Sequence, residues 1–160
     1  MNIVIANRQR KRRINTRLLK QIAREIFAEL GIDEADLGIN LVAAREMALV
    51  NETFLQHEGS TDVITFDHSV MDGQATPSRQ LHGELFICVD DAIQQAKEFK
   101  TVWQSELVRY VVHGVLHLLG YDDLKPHLRR VMKREENRLV LLLDKRFSLA
   151  QLSRPAKIRA

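Results

Sequence analysis

The chain has 160 residues, 28% of them charged and 45% hydrophobic, with a formal net charge of +3 at pH 7. That length suits one domain with its own core, and the composition is ordinary for a soluble globular protein. The longest apolar run, Leu139–Leu143, falls far short of the ~20 residues that span a bilayer, and the single cysteine, Cys88, permits no internal disulfide, so membrane protein, disulfide scaffold and disordered chain are excluded.

Ile3-Val4-Ile5 is a short β-branched run and the first expected strand. The basic cluster Arg8–Arg13 follows that run instead of preceding it, which is not the order of a signal peptide. With one cysteine and no leader, a cytoplasmic location is expected. Five of the six residues from Arg8 to Arg13 are cations, and Lys145, Arg146, Arg154, Lys157 and Arg159 follow the last acid, Asp144. Basic ends of this kind (8–13 and 145–160) attract polyanions, which makes Arg10, Lys11, Arg12 and Arg13 candidates for nucleic-acid binding. The alternative is a solvated arm that aids solubility.

A helix is expected from Asn15, a good N-cap, to Leu30, with one face built from Leu18, Leu19, Ile22, Ile26 and Phe27. Leu37, Ile39, Leu41 and Ala43 alternate as in a half-buried strand, and Arg45–Leu55 reads as a short helix. Val63–Phe66 and Leu85–Val89 are further strands, separated by a polar loop over Asp67–Leu81. Asp90–Lys100 reads as a helix packing Ala92, Ala96 and Phe99. A second helix begins between Thr101 and Ser105 and ends at Leu119, and a last one runs from Pro126 to about Lys145. About four strands and five helices describe one α/β (α+β) domain over residues 1–160, with a small mixed sheet.

Residues 110–119 are apolar around nearly the whole helix, with His113 and His117 as the strongly polar exceptions. Four residues apart, the two imidazoles share a face and can grip one metal ion. Gly120 can end the helix and turn the chain back, so that Asp123 returns as a third ligand. Two imidazoles, a carboxylate and an open fourth position make a catalytic zinc site, although nickel or cobalt would also fit. Asp122 and His127 are alternative third ligands, and two core histidines satisfied by their neighbours are the structural alternative. Zinc proteases place a glutamate directly after the first histidine as general base. Here that residue is Gly114, so the chemistry must differ.

The string His113-Gly-Val-Leu-His117-Leu-Leu-Gly-Tyr121-Asp122 resembles the signature of the YbeY-type endoribonucleases, the bacterial rRNA maturation factors. Thr61-Asp62-Val63-Ile64-Thr65-Phe66 and Gly83-Glu84-Leu85-Phe86-Ile87 agree with it, and the resemblance covers roughly residues 35–140. It implies a single domain with a mixed sheet and one Zn²⁺ per chain. It also implies a single-strand endoribonuclease activity on rRNA of the small ribosomal subunit, with a role in ribosome quality control. Two positions depart from the commonest pattern. Asp123 stands where histidine is usual, and Leu55 stands where an arginine often holds phosphate, with His57 as the candidate substitute.

Thr61 and Asp62 are candidates to orient a ligand or cap a turn, and Glu84 either faces the cleft or is a solvated strand end. His57, Thr61 and Asp62 are therefore the catalytic candidates, with general base and nucleophile unassigned. His68 and His82 read as surface residues, Met132 as core, and Cys88 as a small buried hydrophobe. The low aromatic content of 6% argues against tight sequence-specific recognition of splayed bases. No membrane and no nucleotide cofactor are expected as partners. The competing functions are a metal-dependent hydrolase of another substrate, peptidase-like, and a ribosome-associated RNA-binding module whose zinc is structural.

Overall fold

A computed structural model describes residues 1–55, 62–68 and 80–153. Strands β1 (Asn2–Asn7), β2 (Glu34–Val42), β3 (Val63–Asp67) and β4 (Gln80–Cys88) form one mixed sheet in the order β1-β2-β4-β3. β1, β2 and β4 run parallel, and β3 closes the edge antiparallel to β4. Ile3, Leu37, Ile39, Leu41, Leu85 and Ile87 point to one face and are buried there.

Helix α1 (Thr16–Glu29) starts where Asn15 Oδ1 accepts the Leu18 N–H at 3.1 Å, and its Leu19, Ile22, Ile26 and Phe27 join that buried face. Helix α4 (Trp103–Leu118) is the central element, with Leu107, Val108, Val111, Val112, Val115 and Leu116 all fully buried. Helix α5 (Pro126–Arg146) covers it with a stripe of Met132, Glu136, Leu139, Val140 and Leu143. Helix α3 (Val89–Phe99) packs beside α4, while α2 (Ala44–Val50) caps the opposite sheet face with Met47 and Val50 against Val42, Ile64 and Cys88.

Four expectations shift. β4 begins at Gln80, five residues before the expected Leu85, because Gln80, His82 and Glu84 alternate with Leu81 and Gly83 and face away from the core. The expected loop over Asp67–Leu81 thus loses its last two residues to β4 and its first to β3, and 69–79 lie outside the described residues. The helix expected to reach Leu55 ends at Val50 and continues as a wider π-turn over Asn51–Leu55. Phe99 does not pack in the core: it is 65% exposed, because it occupies the last turn of α3 and looks into a cleft.

The basic segment is not a free arm. Gln9 is buried at its base, where Oε1 accepts the N–H groups of Lys11 (2.8 Å) and Arg12 (3.0 Å) and Nε2 donates to Arg12 O (2.7 Å). Arg10, Lys11, Arg12 and Arg13 stand exposed on that turn. Of the C-terminal cations, Arg146 pairs with Glu25 and Glu29 of α1, and 154–160 lie outside the described residues.

Cys88 ends β4 fully buried, and burial, with Asp91 beside it, pushes its thiol up to about 12. Iodoacetamide at pH 8 should therefore leave the folded protein unlabelled over hours and modify one thiol per chain in denaturant. Rapid labelling of the native protein would contradict this packing.

Candidate metal centre

The last two turns of α4 and the segment that follows them bring three side chains together. His113 Nε2 and His117 Nε2 lie 3.1 Å apart, and Asp123 Oδ2 is 3.5 Å from the second and 3.9 Å from the first. A tetrahedral ion with bonds of about 2.1 Å holds its ligands about 3.4 Å apart, so the three atoms already match such a donor set. Among the described residues this is the one His, Cys, Asp and Glu group able to hold a metal ion.

Backbone geometry explains the return of Asp123. Gly120 adopts φ +101°, and the Gly120 and Tyr121 N–H groups donate to His117 O and Leu116 O, both at 3.0 Å. This paired closure reverses the chain at the helix end, and a side chain at Gly120 would strain it. Asp122 turns away, its Oδ1 accepting the Leu124 N–H at 2.9 Å. His127 is exposed on the first turn of α5, outside the group.

Gly114 has a packing reason to be glycine. A Cβ there would lie 2.6 Å and 2.9 Å from the two Leu85 methyls, so α4 meets β4 through this bare position. The site where a zinc protease carries its glutamate therefore faces the sheet, away from the histidines. Packing excludes that general base.

A residue with no metal-ligand spacing in the sequence completes the arrangement. Glu136 of α5, only 3% exposed, accepts a 2.8 Å hydrogen bond from His113 Nδ1 through Oε1. Its Oε2 accepts from Arg109 Nη1 at 2.7 Å and Lys133 Nζ at 3.0 Å. Burial by itself would raise this carboxyl, but donors from His113, Lys133 and Arg109 outweigh it and hold it at about 2. An ionised carboxylate can only accept, so the His113 proton sits on Nδ1 and the Nε2 lone pair faces His117 and Asp123. One sequence signal could have found it: Glu136 interrupts the apolar stripe Met132, Leu139, Val140, Leu143.

A cleft of about 510 Å³ opens beside the group, lined by His113, Asp123, Asp62, Arg109, Arg129 and Lys133, with Phe99 and Gln95 on the α3 side. Arg129 is fixed there by its Nε, which donates to Asp123 O at 3.1 Å. Asp62 accepts the Val63 N–H through Oδ1 at 3.1 Å, and its carbonyl accepts the Cys88 N–H. Tyr110 is buried at the cleft wall, where burial and then the nearby Asp62 charge raise its hydroxyl and keep it protonated. His57 and Thr61 lie outside the described residues, as does the Leu55 side chain. Met132 is buried in the core, as expected. Glu84 sits within β4 on the opposite sheet face, bonded by Asn40 Nδ2 at 3.1 Å, and His68 and His82 are half-exposed on that face. Arg10, Lys11, Arg12 and Arg13 are not among the cleft residues.

The family model described as Endoribonuclease YbeY matches residues 4–144. Relatives bearing that name include a Chlorobium phaeovibrioides protein, 33% identical over 78% of this chain and 80% of its own length. One from Parabacteroides distasonis is 34% identical over 71% and 75%, and one from Finegoldia magna is 32% identical over 85% and 90%. The solution structure of TM1509 from Thermotoga maritima superposes with a TM-score of 0.65 over 98% of this chain and 99% of that one. At 24% identity, that likeness is one of fold.

Gly114→Ala tests the packing argument. It gains about 1 kcal/mol of helix propensity and sets against it an overpacking cost of about 1–3 kcal/mol at a fully buried Leu85. Urea denaturation should show a lower midpoint at unchanged slope. A variant about 1 kcal/mol more stable than the parent, the full propensity gain, would mean that α4 and β4 have room between them.

Proposed function

The chain belongs to the endoribonuclease YbeY family, a family of nucleases acting on RNA, and we propose that it is a zinc-dependent, single-strand-specific endoribonuclease. Its expected task is maturation of the 3′ end of small-subunit rRNA and ribosome quality control in the cytoplasm, with the small ribosomal subunit as partner. The observation that carries the reading is the convergence of His113 Nε2, His117 Nε2 and Asp123 Oδ2 within 3.1–3.9 Å at the wall of an open cleft.

His113, His117 and Asp123 would hold the ion, and Glu136 would orient His113 as its hydrogen-bonded carboxylate partner. When bound, zinc supplies Lewis-acid charge to a phosphodiester whose oxygens gain negative charge in the transition state. Arg109, Arg129 and Lys133 line the same cleft and can bind the phosphates on either side of the scissile bond, the task for which Leu55 offers no cation. Asp62, the remaining carboxylate of the cleft, is our candidate to accept the proton of the attacking hydroxyl. Three protein ligands and partly exposed histidines (30% and 27%) favour an exchangeable fourth position over a structural zinc. Gly114 argues against the peptidase reading.

The purified protein should carry close to one zinc per chain, and His113→Ala, His117→Ala and Asp123→Ala should each lose most of it, measured by elemental analysis. Glu136→Gln should keep the site but weaken metal affinity by roughly 10–100-fold. Chelation should end cleavage of single-stranded RNA. Full metal content in both histidine variants would dispose of the site.

RNA affinity should fall with salt, and neutralising Arg10, Lys11, Arg12 and Arg13 should flatten the log–log slope by about 0.7 for each phosphate that the turn no longer neutralises. An unchanged slope would leave the turn that Gln9 organises as a solvated surface.

A further inference from the structure

Two residues of the cleft have no part in the chemistry above. Phe99 and Gln95 lie four apart on α3, one turn of one helix face, and both line the cleft that holds His113 and Asp123. Phe99 is 65% exposed. The ring thus presents apolar surface within the cleft. Around it the cleft carries Arg109, Arg129 and Lys133, cations suited to a phosphate backbone, together with the metal-ligand group. Ring, amide and cations thus combine the two contacts by which proteins hold single-stranded nucleic acid, base stacking and backbone charge.

We propose that Phe99 and Gln95 form a nucleobase-binding ledge beside the scissile phosphodiester. One unpaired base stacks on the Phe99 ring while the Gln95 amide reaches its edge, as a donor and an acceptor in one group. The ledge rests on the reading of the cleft as an RNA-cleaving site and adds the source of strand selectivity. In a duplex both faces of a base are covered by its neighbours, so a ring at the cleft mouth has nothing to stack on. A single strand can turn one base out onto it. The base faces are alike enough that the ledge favours unpaired RNA without demanding a sequence. Because Phe99 ends α3, where Lys100 closes the helix in the left-handed conformation (φ 55°), the ring is carried on ordered backbone.

The test compares the full-length, zinc-loaded protein with Phe99→Ala and Phe99→Trp, measuring fluorescence anisotropy of a single-stranded RNA oligonucleotide with cleavage-resistant linkages across a salt series. Phe99→Ala should bind roughly ten-fold more weakly at every salt concentration, giving a line parallel to that of the parent, since a stacking ring and no charge has been removed. Phe99→Trp should recover the parental affinity. On cleavable RNA, Phe99→Ala should raise KM with kcat largely kept, because the ring touches a base and not the reacting phosphate. Binding of blunt duplex RNA should be the same for all three proteins. If Phe99→Ala binds single strands as tightly as the parent while the parent cleaves RNA, the ledge is wrong and the nuclease reading stands. If its line changes slope, the loss is electrostatic and the ledge is wrong as well. If the parent neither binds nor cleaves single-stranded RNA, the nuclease reading fails and the ledge fails with it.

Discussion

The buried carboxylate of Glu136 is the constraint on which the site depends. It sits between α5 and α4 at 3% exposure, in surroundings where an unpaired charge would cost several kcal/mol. Arg109 and His113 reach it from α4 and Lys133 from its own helix, at 2.7, 2.8 and 3.0 Å. Each of those donors is thereby fixed in direction. His113 is held with its free nitrogen toward His117, and the Arg109 and Lys133 side chains are held at the cleft wall. One charge therefore orders the donor set and two of the cations proposed to bind phosphate together. It also ties two helices in one register, because α5 cannot slide along α4 without leaving this charge unsatisfied.

The second constraint is steric. Helix α4 carries the histidines and crosses the sheet at Gly114, where even a methyl group would meet Leu85. The absence of a glutamate beside His113 thus agrees with how the helix seats, and a protease-like base cannot be added without displacing the buried Leu85 side chain. The two glycines of the motif divide the work. Gly114 lets the helix approach, and Gly120 turns the chain so that Asp123 comes back to the histidines that the approach has placed.

Much of this is legible in the sequence, for a physical reason. The i, i+4 spacing of His113 and His117 and a glycine three residues on are local signals, and helix geometry alone fixes what they do. The helices and strands of the described residues are likewise local patterns. What the sequence hides is tertiary. Glu136 meets His113 across 23 residues, and only its place within an apolar stripe hints at a partner. Phe99 continues the spacing of Ala92 and Ala96, yet α3 outruns its cover by one turn, and periodicity cannot report where a neighbouring helix stops. β4 reads short because Gln80, His82 and Glu84 have loop composition, while their alternation with Leu81 and Gly83 serves a sheet whose second face is only partly covered.

Charge balance in the cleft would give a bound ion a second role. Its walls carry three carboxylates, Asp62, Asp123 and Glu136, and three permanent cations, Arg109, Arg129 and Lys133. Without metal these cancel, and Glu136 spends part of the Arg109 and Lys133 charge on itself. A cleft so balanced has little field with which to draw in a polyanion, and what remains is screened beyond about 8–10 Å at ordinary salt. A divalent cation on His113, His117 and Asp123 would tip the balance to positive, at the proposed site of reaction. The aspartate is what makes this tuning matter. With an anionic ligand in place of a neutral one, a bound ion would contribute one unit less to the field, and the neighbouring cations would have to carry more of the proposed phosphate binding. Arg129, anchored on the Asp123 carbonyl by a single hydrogen bond, is the cation that this ligand itself positions.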